Sequence, residues 1–292
     1  MIFEAIPNFS EGRRPGICQD LRTTVEQIPG LTVADQHIDE DHHRTVLTFL
    51  GEKEALAEGA FRLAEKAIEK IDLTRHTGEH PRMGAIDVLP FVPLGEATME
   101  MATLLARTVG KRIGEELHLP VFLYESAAQR PERKNLADIR RPRFEGYRDY
   151  ADLDPDFGPS QVHPTAGCVA VGARPILIAY NIDLQTDQVG IAQKIAQTIR
   201  EKNGGKTGIK AIGLGIDQRG CAQVSMNVCN YRATSLLEIF GEVKKLAEEF
   251  GSGIRSSEIV GLCPQEALPK AAKETLQLEN FEPKQLLENH LP

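Results

Sequence analysis

Hydrophobic and polar residues follow two different periods along this chain. Apolar residues recur at helical spacing in segments that predict helices over 16–26, 53–70, 96–117, 187–201 and 234–250. Shorter segments, alternating or rich in β-branched residues, predict strands at 2–6, 31–38, 44–50, 86–92, 120–124, 209–217, 221–231 and 256–262, and the segment 169–183 is also predicted to be strand-rich. Helices and strands mixed in this way are typical of an α/β (α+β) protein.

Residues 151–168 form a long segment, rich in Pro and Gly and without periodicity. Structureless loops of this length are usually functional or act as linkers, so we expect one subdomain over 1–174 and a second over 175–292. In the second, the predicted order β-α-β-β-α-β is that of a ferredoxin-like unit, with Thr186 capping its first helix. A final helix follows, and the last stretch, 272–292, is expected to be peripheral or part of an interface.

Composition excludes some classes of partner. Of the 292 residues, 41% are hydrophobic and 26% charged, which suits a globular core, and the net charge of −8 argues against nucleic acid or an anionic membrane. An anionic ligand would then need local arginines. The segment 129–150 is rich in arginine, including Arg133, Arg140 and Arg141, and is either an exposed, salt-bridged helix or a cationic wall.

Cysteine usage bears on the compartment. The five cysteines are scattered and form no C-x-x-C pair, which favours reduced thiols in a cytoplasmic protein. The N-terminus lacks the pattern of a signal peptide, and no window approaches eighteen apolar residues. We therefore expect a soluble protein of the cytoplasm.

The stretch 76–93 concentrates the candidate chemistry, because histidines, carboxylates and an arginine precede an apolar strand. Gly and Pro within it exclude a continuous helix. Because histidine side chains in general titrate near neutrality, His80 could move a proton; Glu79 and Asp87 could orient it, and Arg82 could hold a carboxylate. The alternative is a histidine that only supports a turn.

A divalent metal is a second possibility. The run Asp39-Glu-Asp-His-His43 supplies possible ligands, and a metal-dependent hydrolase could use Asp39, Asp41, His42, His76 and His80. Side chains of adjacent residues diverge, however, so a solvated or substrate-facing turn is favoured. We expect no metal.

Several ordered motifs carry a family resemblance along most of the chain. They are Pro7-Asn-Phe-Ser-Glu-Gly12, His43-Arg-Thr-Val-Leu-Thr-Phe49, Gly78-Glu-His-Pro-Arg-Met-Gly84, Tyr124-Glu-Ser-Ala-Ala128, Pro155-Asp-Phe-Gly-Pro-Ser160, Gly172-Ala-Arg174, Ala179-Tyr-Asn-Ile182 and Ala222-Gln-Val-Ser-Met-Asn227. With these motifs the chain resembles the glutamate formimidoyltransferase (formiminotransferase) family. Position 43 departs from the family, which commonly has Asn there, and this puts its role in doubt.

The resemblance implies an activity and a set of site residues. It implies transfer of a formimino group from formiminoglutamate to N5 of tetrahydrofolate, the co-substrate, with His80 as general base and no metal. Glu79 and Asp87 would support that histidine. The substrate- and folate-binding residues that we infer are Arg44, Arg82, Tyr124, Phe157, Gly158, Gln223 and Asn227.

The resemblance also implies an organisation. It implies two α/β subdomains with a folate-binding cleft or tunnel between them, and usually a homodimer. Some family members carry a further cyclodeaminase domain. Here we expect a stand-alone transferase whose product goes to a separate cyclodeaminase. The alternatives are the metal-dependent hydrolase and a non-catalytic folate-binding protein that keeps the scaffold.

Overall fold

The computed structural model describes residues 1–40, 42–77, 82–150, 152–268 and 275–291. The chain divides into two compact units, Met1–Pro175 and Ile176–Pro292. Each unit has its own sheet, helices and hydrophobic cluster, which confirms the predicted α/β class with two α/β subdomains. The cleft implied by the resemblance stays a prediction. No helix in the described part of the chain is long and apolar enough to cross a membrane.

The first unit is built on a seven-stranded mixed sheet. A broken strand, β1 followed by β2, lies between β4 and β5 and pairs with both, while β3 extends the sheet beyond β4. Parallel pairing of β7 with β5 and β6 completes it. The strands are β1 (Ile2–Ala5), β2 (Asn8–Phe9), β3 (Leu31–Asp39), β4 (Arg44–Glu52), β5 (Ile86–Pro93), β6 (Val121–Glu125) and β7 (Val169–Ala173).

Helices cover the two faces of this sheet unequally. The helices are α1 (Pro15–Glu26), α2 (Lys53–Lys70), α3 (Met99–Glu116), α4 (Leu136–Arg140) and α5 (Arg143–Arg148). Side chains of α1, α2 and α3 share the main core with Val121 and Leu123 of β6. The alternate residues of that strand, Phe122 and Tyr124, join a smaller cluster with residues of α4 and α5. Because alternate residues of a strand face opposite sides, these short helices lie on the other face.

A close approach of backbones brings the loop after β2 against the β3–β4 hairpin. A Cβ atom added to Gly12 would lie 2.2 Å from the carbonyl oxygen of Asp39 and 2.7 Å from the amide nitrogen of Arg44. Only glycine permits this contact. The glycine that ends the motif Pro7–Gly12 therefore sets the loop beside the hairpin.

The second unit is a four-stranded antiparallel sheet in the order β11-β8-β10-β9 with two helices. This is the ferredoxin-like order that the sequence predicts. Its core holds alternate residues of β10, such as Val224 and Met226, with apolar residues of both helices. The elements are β8 (Ile178–Leu184), α6 (Val189–Ile199), β9 (Ile209–Ile216), β10 (Cys221–Val228), α7 (Leu236–Glu249) and β11 (Ile254–Val260).

The structure differs from expectation in three places. The arginine-rich segment 129–150 forms two short helices, α4 and α5, where we had weighed one exposed helix against a cationic wall. Gln188, and not Thr186, occupies the N-cap position of α6, without a side-chain capping bond, and the Thr186 hydroxyl accepts a hydrogen bond from the Gln188 amide just before the helix. The stretch 272–292 has charged and apolar residues in helical rhythm, but its described residues 275–291 contain short 3-10 turns at Pro283–Gln285 and Leu287–His290.

Candidate active site

A small pocket lies in the first unit where β2, the β3–β4 hairpin and the start of β5 meet. It has about 180 Å³ of empty space, open solvent included. Histidines and arginines dominate its lining, which consists of Phe9, Ser10, His42, His43, Arg44, His76, Arg82 and Asp87. The structure therefore brings together Arg44, Arg82 and Asp87, three of the residues proposed from the sequence.

Glu11 is a buried anchor beside this pocket. Its carboxylate accepts hydrogen bonds from the backbone amides of Arg13 and Arg14, both at 2.9 Å, and from Arg14 Nε at 2.6 Å. Burial alone would raise the pKa of Glu11, but these hydrogen bonds hold it below its ordinary value. A fixed negative charge therefore lies under the hairpin.

His43 connects Glu11 with the start of the segment that the sequence singled out. Its Nε2 lies 3.2 Å from Glu11 Oε1, and its Nδ1 lies 2.9 Å from the carbonyl oxygen of Thr77. The residue has a positive φ of 51°, in the left-handed region where Asn, Asp and His are enriched among the residues other than glycine. A histidine is therefore tolerated at this position, and its ring spans two partners.

His76 stacks on His43 and is almost fully buried. The ring centroids are 4.0 Å apart and the rings are 8° from parallel. His76 Nε2 lies 3.1 Å from the carbonyl oxygen of His43, and only 7% of the residue is exposed. Burial, opposed by that hydrogen bond and reinforced by nearby His43 and Arg82, lowers the pKa of His76 to about 4. Its imidazole is therefore neutral at physiological pH.

Arg82 is held in place by contacts from two directions. Its Nη2 donates to Glu145 Oε1 at 2.7 Å and to the carbonyl oxygen of His76 at 3.0 Å. Glu145 belongs to α5, one of the short helices that periodicity did not reveal. The guanidinium is consequently oriented before any ligand arrives, which reduces the entropy lost on binding.

Asp87 is the carboxylate in the pocket lining, and it interacts with two further arginines, Arg140 and Arg44. Asp87 accepts a hydrogen bond from the Met83 amide at 2.6 Å and pairs with Arg140 Nη2 at 2.5 Å. Burial and then the like charge of Arg140 lower the pKa of Arg44 to about 10, although Asp39 and Asp87 oppose this. Half-buried cations that outnumber the carboxylate beside them favour an anionic ligand.

The candidate metal ligands do not gather in the described structure. His42 Nδ1 lies 2.7 Å from Asp39 Oδ2. Burial raises the pKa of Asp39, but the contacts with His42 outweigh burial and lower this pKa below its ordinary value. His76 instead stacks on His43. Among the described residues no group of three or more His, Cys, Asp or Glu side chains is placed to hold a metal. Asp41 and His80 lie outside those residues.

The aromatic residues proposed for folate lie on opposite faces of the first sheet. Tyr124 is buried in the cluster with α4 and α5, and its ring covers Gly172 so closely that a Cβ there would lie 2.5 Å away. Phe157 packs against the main core on the face of α3, and Gly158, with φ of 87°, follows it. The two rings therefore do not form one stacking surface, and neither lines the pocket.

The residues proposed in the second unit lie on the face of β10 away from its core. Gln223 is buried and donates from Nε2 to Asp183 Oδ1 at 2.8 Å, and Arg219 Nη1 holds the other oxygen of Asp183 at 3.0 Å. Asn227 is exposed on the same strand face, four residues further on. A folate contact for either residue stays a prediction.

His80 and Glu79, the predicted base and its neighbour, lie outside the described residues. The described residues that precede and follow this segment in sequence both contact pocket residues. The carbonyl oxygen of Thr77 accepts the hydrogen bond from His43 Nδ1, and Arg82 lines the pocket itself. The two described residues nearest to the predicted base in sequence, Thr77 and Arg82, therefore both lie at the pocket.

Comparison with known families decides the classification. The family model for the N-terminal subdomain of the formiminotransferase domain matches residues 2–174, and that for the formiminotransferase domain matches residues 179–288. The chain belongs to the formiminotransferase family.

Similar proteins of this family come from distant organisms. A glutamate formimidoyltransferase of Streptococcus pyogenes is 46% identical, with 99% of this chain and 98% of that protein covered. One from Thermoplasma acidophilum is 42% identical, with 99% and 97% covered. The formimidoyltransferase-cyclodeaminase of mouse is 39% identical over 93% of this chain and 52% of that protein.

Sequence reasoning missed or undervalued part of this formiminotransferase pocket. In the sequence, Glu11 stands out only as part of a turn motif, the role of His43 is in doubt, and Arg140 is one of several arginines without an assigned role. The usable signal was the family motif ending in Gly12, because a loop of that kind at the end of a strand is a common ligand site. The pairing of His43 with His76 has no local sequence signature.

Proposed function

We propose that this chain is a glutamate formimidoyltransferase, a one-carbon transferase that moves the formimino group of N-formimino-L-glutamate to N5 of tetrahydrofolate. The products are 5-formimidoyltetrahydrofolate and L-glutamate, as in histidine degradation. The observation that carries the proposal is the identity of 46% and 42% to two proteins of that name along nearly the whole chain. The cationic pocket is a suitable site for the anionic donor.

The proposed chemistry is addition followed by elimination. N5 of tetrahydrofolate attacks the amidine carbon, forming the N5–C bond, while His80 takes the N5 proton. The tetrahedral intermediate then collapses, the bond from carbon to the glutamate nitrogen breaks, and that nitrogen receives a proton. A positioned base typically contributes about 10²- to 10⁴-fold, and holding the two substrates together contributes more.

The described residues suggest how the donor is oriented. Arg44 and Arg82 would receive its carboxylates, since both are cationic and line the pocket, Arg82 buried and Arg44 half-buried. Asp87 would act through its neighbours, because its carboxylate is committed to Arg140 and to the Met83 amide. The sequence places His80 two residues before Arg82, so we expect the base to act at this pocket.

Other parts of the proposal depend on the resemblance. Tyr124, Gln223 and Asn227 stay candidates for contacts with folate, whereas the packing of Phe157 and Gly158 against α3 favours a structural role for them. A homodimer, a cytoplasmic location and a separate cyclodeaminase that consumes the product stay predictions. The metal-dependent hydrolase is not proposed, because the full-length relatives carry the name of a transferase.

Steady-state kinetics with both substrates test the proposal. Wild type should convert formiminoglutamate and tetrahydrofolate, and His80→Ala should lose about 10²- to 10⁴-fold in kcat while still binding tetrahydrofolate. Full activity in His80→Ala would remove the base but keep the reaction. Absence of turnover in wild type would refute the function.

A further inference from the structure

His76 carries an unsatisfied hydrogen-bond acceptor at the pocket. Its side chain lines the pocket and is almost fully buried, and Nδ1 has no hydrogen-bond partner among the residues that the structure describes. Buried polar atoms nearly always have a partner, and leaving one unpaired is unfavourable. An unpaired nitrogen at a pocket wall therefore points to a ligand that completes it.

The tautomer of His76 follows from its other nitrogen. Nε2 lies 3.1 Å from the carbonyl oxygen of His43, which can only accept, so Nε2 carries the hydrogen. A neutral imidazole has a single N–H, and Nδ1 is therefore left with a lone pair. Stacking on His43 and the contact at Nε2 restrict rotation of the ring, so this lone pair keeps its direction.

The protonation state agrees with this assignment. Burial, together with the neighbouring His43 and Arg82, keeps the imidazole neutral, although the His43 carbonyl and Glu11 act in the opposite direction. The other charged or titratable side chains that line the pocket are His42 and Arg44 beside the hairpin and Asp87 of β5. Nδ1 is thus an acceptor over the whole physiological range.

We propose that His76 Nδ1 accepts a hydrogen bond from the formimino N–H of the donor substrate and thereby makes the enzyme prefer a formimino donor to a formyl donor. This inference rests on the proposed function. The two groups have the same shape but opposite hydrogen-bonding character at their terminal atom, because =NH or =NH₂⁺ donates whereas a formyl oxygen only accepts. A fixed acceptor pairs with the first and opposes the second.

Different residues of the pocket would recognise the formimino group and the carboxylates of the donor. Arg44 and Arg82 supply positive charge for the anionic end of the donor, while the neutral His76 and the carboxylate of Asp87 are compatible with its cationic formimino end. A site built around a hydrogen bond discriminates strongly against an isostere that cannot make it, because both partners are then left unsatisfied.

Two substitutions at this position separate a role in specificity from a merely structural one. In His76→Gln the carboxamide nitrogen replaces Nε2 as donor to the His43 carbonyl, but nothing replaces Nδ1. In His76→Asn the carboxamide lies near the place of Nδ1 and can turn to present either its oxygen or its nitrogen. His290→Gln is the control, since His290 Nε2 also contacts a backbone carbonyl, that of Lys284 at 2.6 Å.

The assay compares kcat/KM for N-formimino-L-glutamate and N-formyl-L-glutamate with tetrahydrofolate as acceptor. In His76→Gln, kcat/KM should fall roughly 5- to 150-fold with the formimino donor and little with the formyl donor. The ratio of kcat/KM for the formimino donor to that for the formyl donor therefore decreases. In His76→Asn the same ratio should decrease mainly because kcat/KM for the formyl donor rises. His290→Gln should leave both values unchanged. An equal loss with both donors would show a purely structural role and overturn the inference.

A measurement on wild type keeps the inference testable if a variant does not fold. In ¹⁵N NMR, the His76 Nδ1 resonance should be that of an unprotonated nitrogen and should shift when formiminoglutamate binds, but not when glutamate binds. A protonated Nδ1, or the same shift with glutamate, would overturn the inference. Wild type that turns over neither donor would instead refute the proposed function.

Discussion

Replacement of Glu11 by Gln should destabilise the first unit strongly without changing its shape. The carboxylate is fully buried and accepts three hydrogen bonds of 2.6–2.9 Å from Arg13 and Arg14, besides the contact with His43 at 3.2 Å. A carboxamide of equal size loses the charge and turns an NH₂ group toward donors. This environment makes Glu11→Gln a sensitive test of the anchor.

The magnitude follows from the hydrogen bonds. Those to a charged group contribute about 1.5–3 kcal/mol each and neutral ones about 0.5–1.5 kcal/mol. Weakening two bonds and losing one predicts a decrease of about 3.5–6 kcal/mol in the free energy of unfolding at pH 7. Because the pKa of Glu11 is lowered in the folded protein, this stabilisation is present above about pH 4.5 and is lost as the pH falls through the folded pKa.

Urea unfolding followed by circular dichroism would measure the difference, and hydrogen exchange would assign it to the first unit. The matched control is Glu52→Gln, because Glu52 is 72% exposed and only pairs with the N-terminal ammonium group at 3.3 Å. Its effect should stay below about 0.5 kcal/mol. Equal effects of the two substitutions at pH 7, or a loss at Glu11 that persists unchanged at acidic pH, would refute the reasoning.

Three further predictions concern the pocket. Asp87→Ala should lower the free energy of unfolding by about 3–5 kcal/mol, because Arg140 loses its buried partner; urea unfolding in which Asp87→Ala matches wild type would contradict this. Arg82→Lys should raise KM for formiminoglutamate about tenfold, since Lys cannot reproduce the contacts of the guanidinium; in steady-state assays the exposed Glu145→Gln, which spares the guanidinium, should change it less. Because the pKa of His76 is lowered to about 4 in the folded protein, its neutral side chain contributes fully to the free energy of unfolding above about pH 6.5. This contribution, at most about 3 kcal/mol, is lost progressively as the pH falls toward 4. That pH dependence should be absent from the unfolding curves of His76→Asn, and its persistence there would assign it to another group.

The periodicity of apolar residues predicted the longer helices well because each of them buries residues on one face. Helix α2 was predicted at the residues where it lies, 53–70, and its apolar stripe packs into the main core. The short helices α4 and α5 were missed, since five or six residues are too few to show a helical period. Their position depends on tertiary contacts such as that between Glu145 and Arg82.

The pocket was predictable in part. Family motifs pointed to Arg44, Arg82 and Asp87, and the structure brings these together. The stacking of His76 on His43 was not predictable, because the two residues are 33 positions apart and meet only through the hairpin. The assignment of two aromatic residues to one folate surface ignored the side of the sheet that each faces, which depends on strand register.

The measurement that tests the central claim most directly is identification of the products by mass spectrometry. Purified protein would be incubated with N-formimino-L-glutamate and tetrahydrofolate, without added metal and with a protein-free control. The account predicts 5-formimidoyltetrahydrofolate and L-glutamate in equal amounts. Release of glutamate that is independent of tetrahydrofolate would instead indicate hydrolysis and contradict the account.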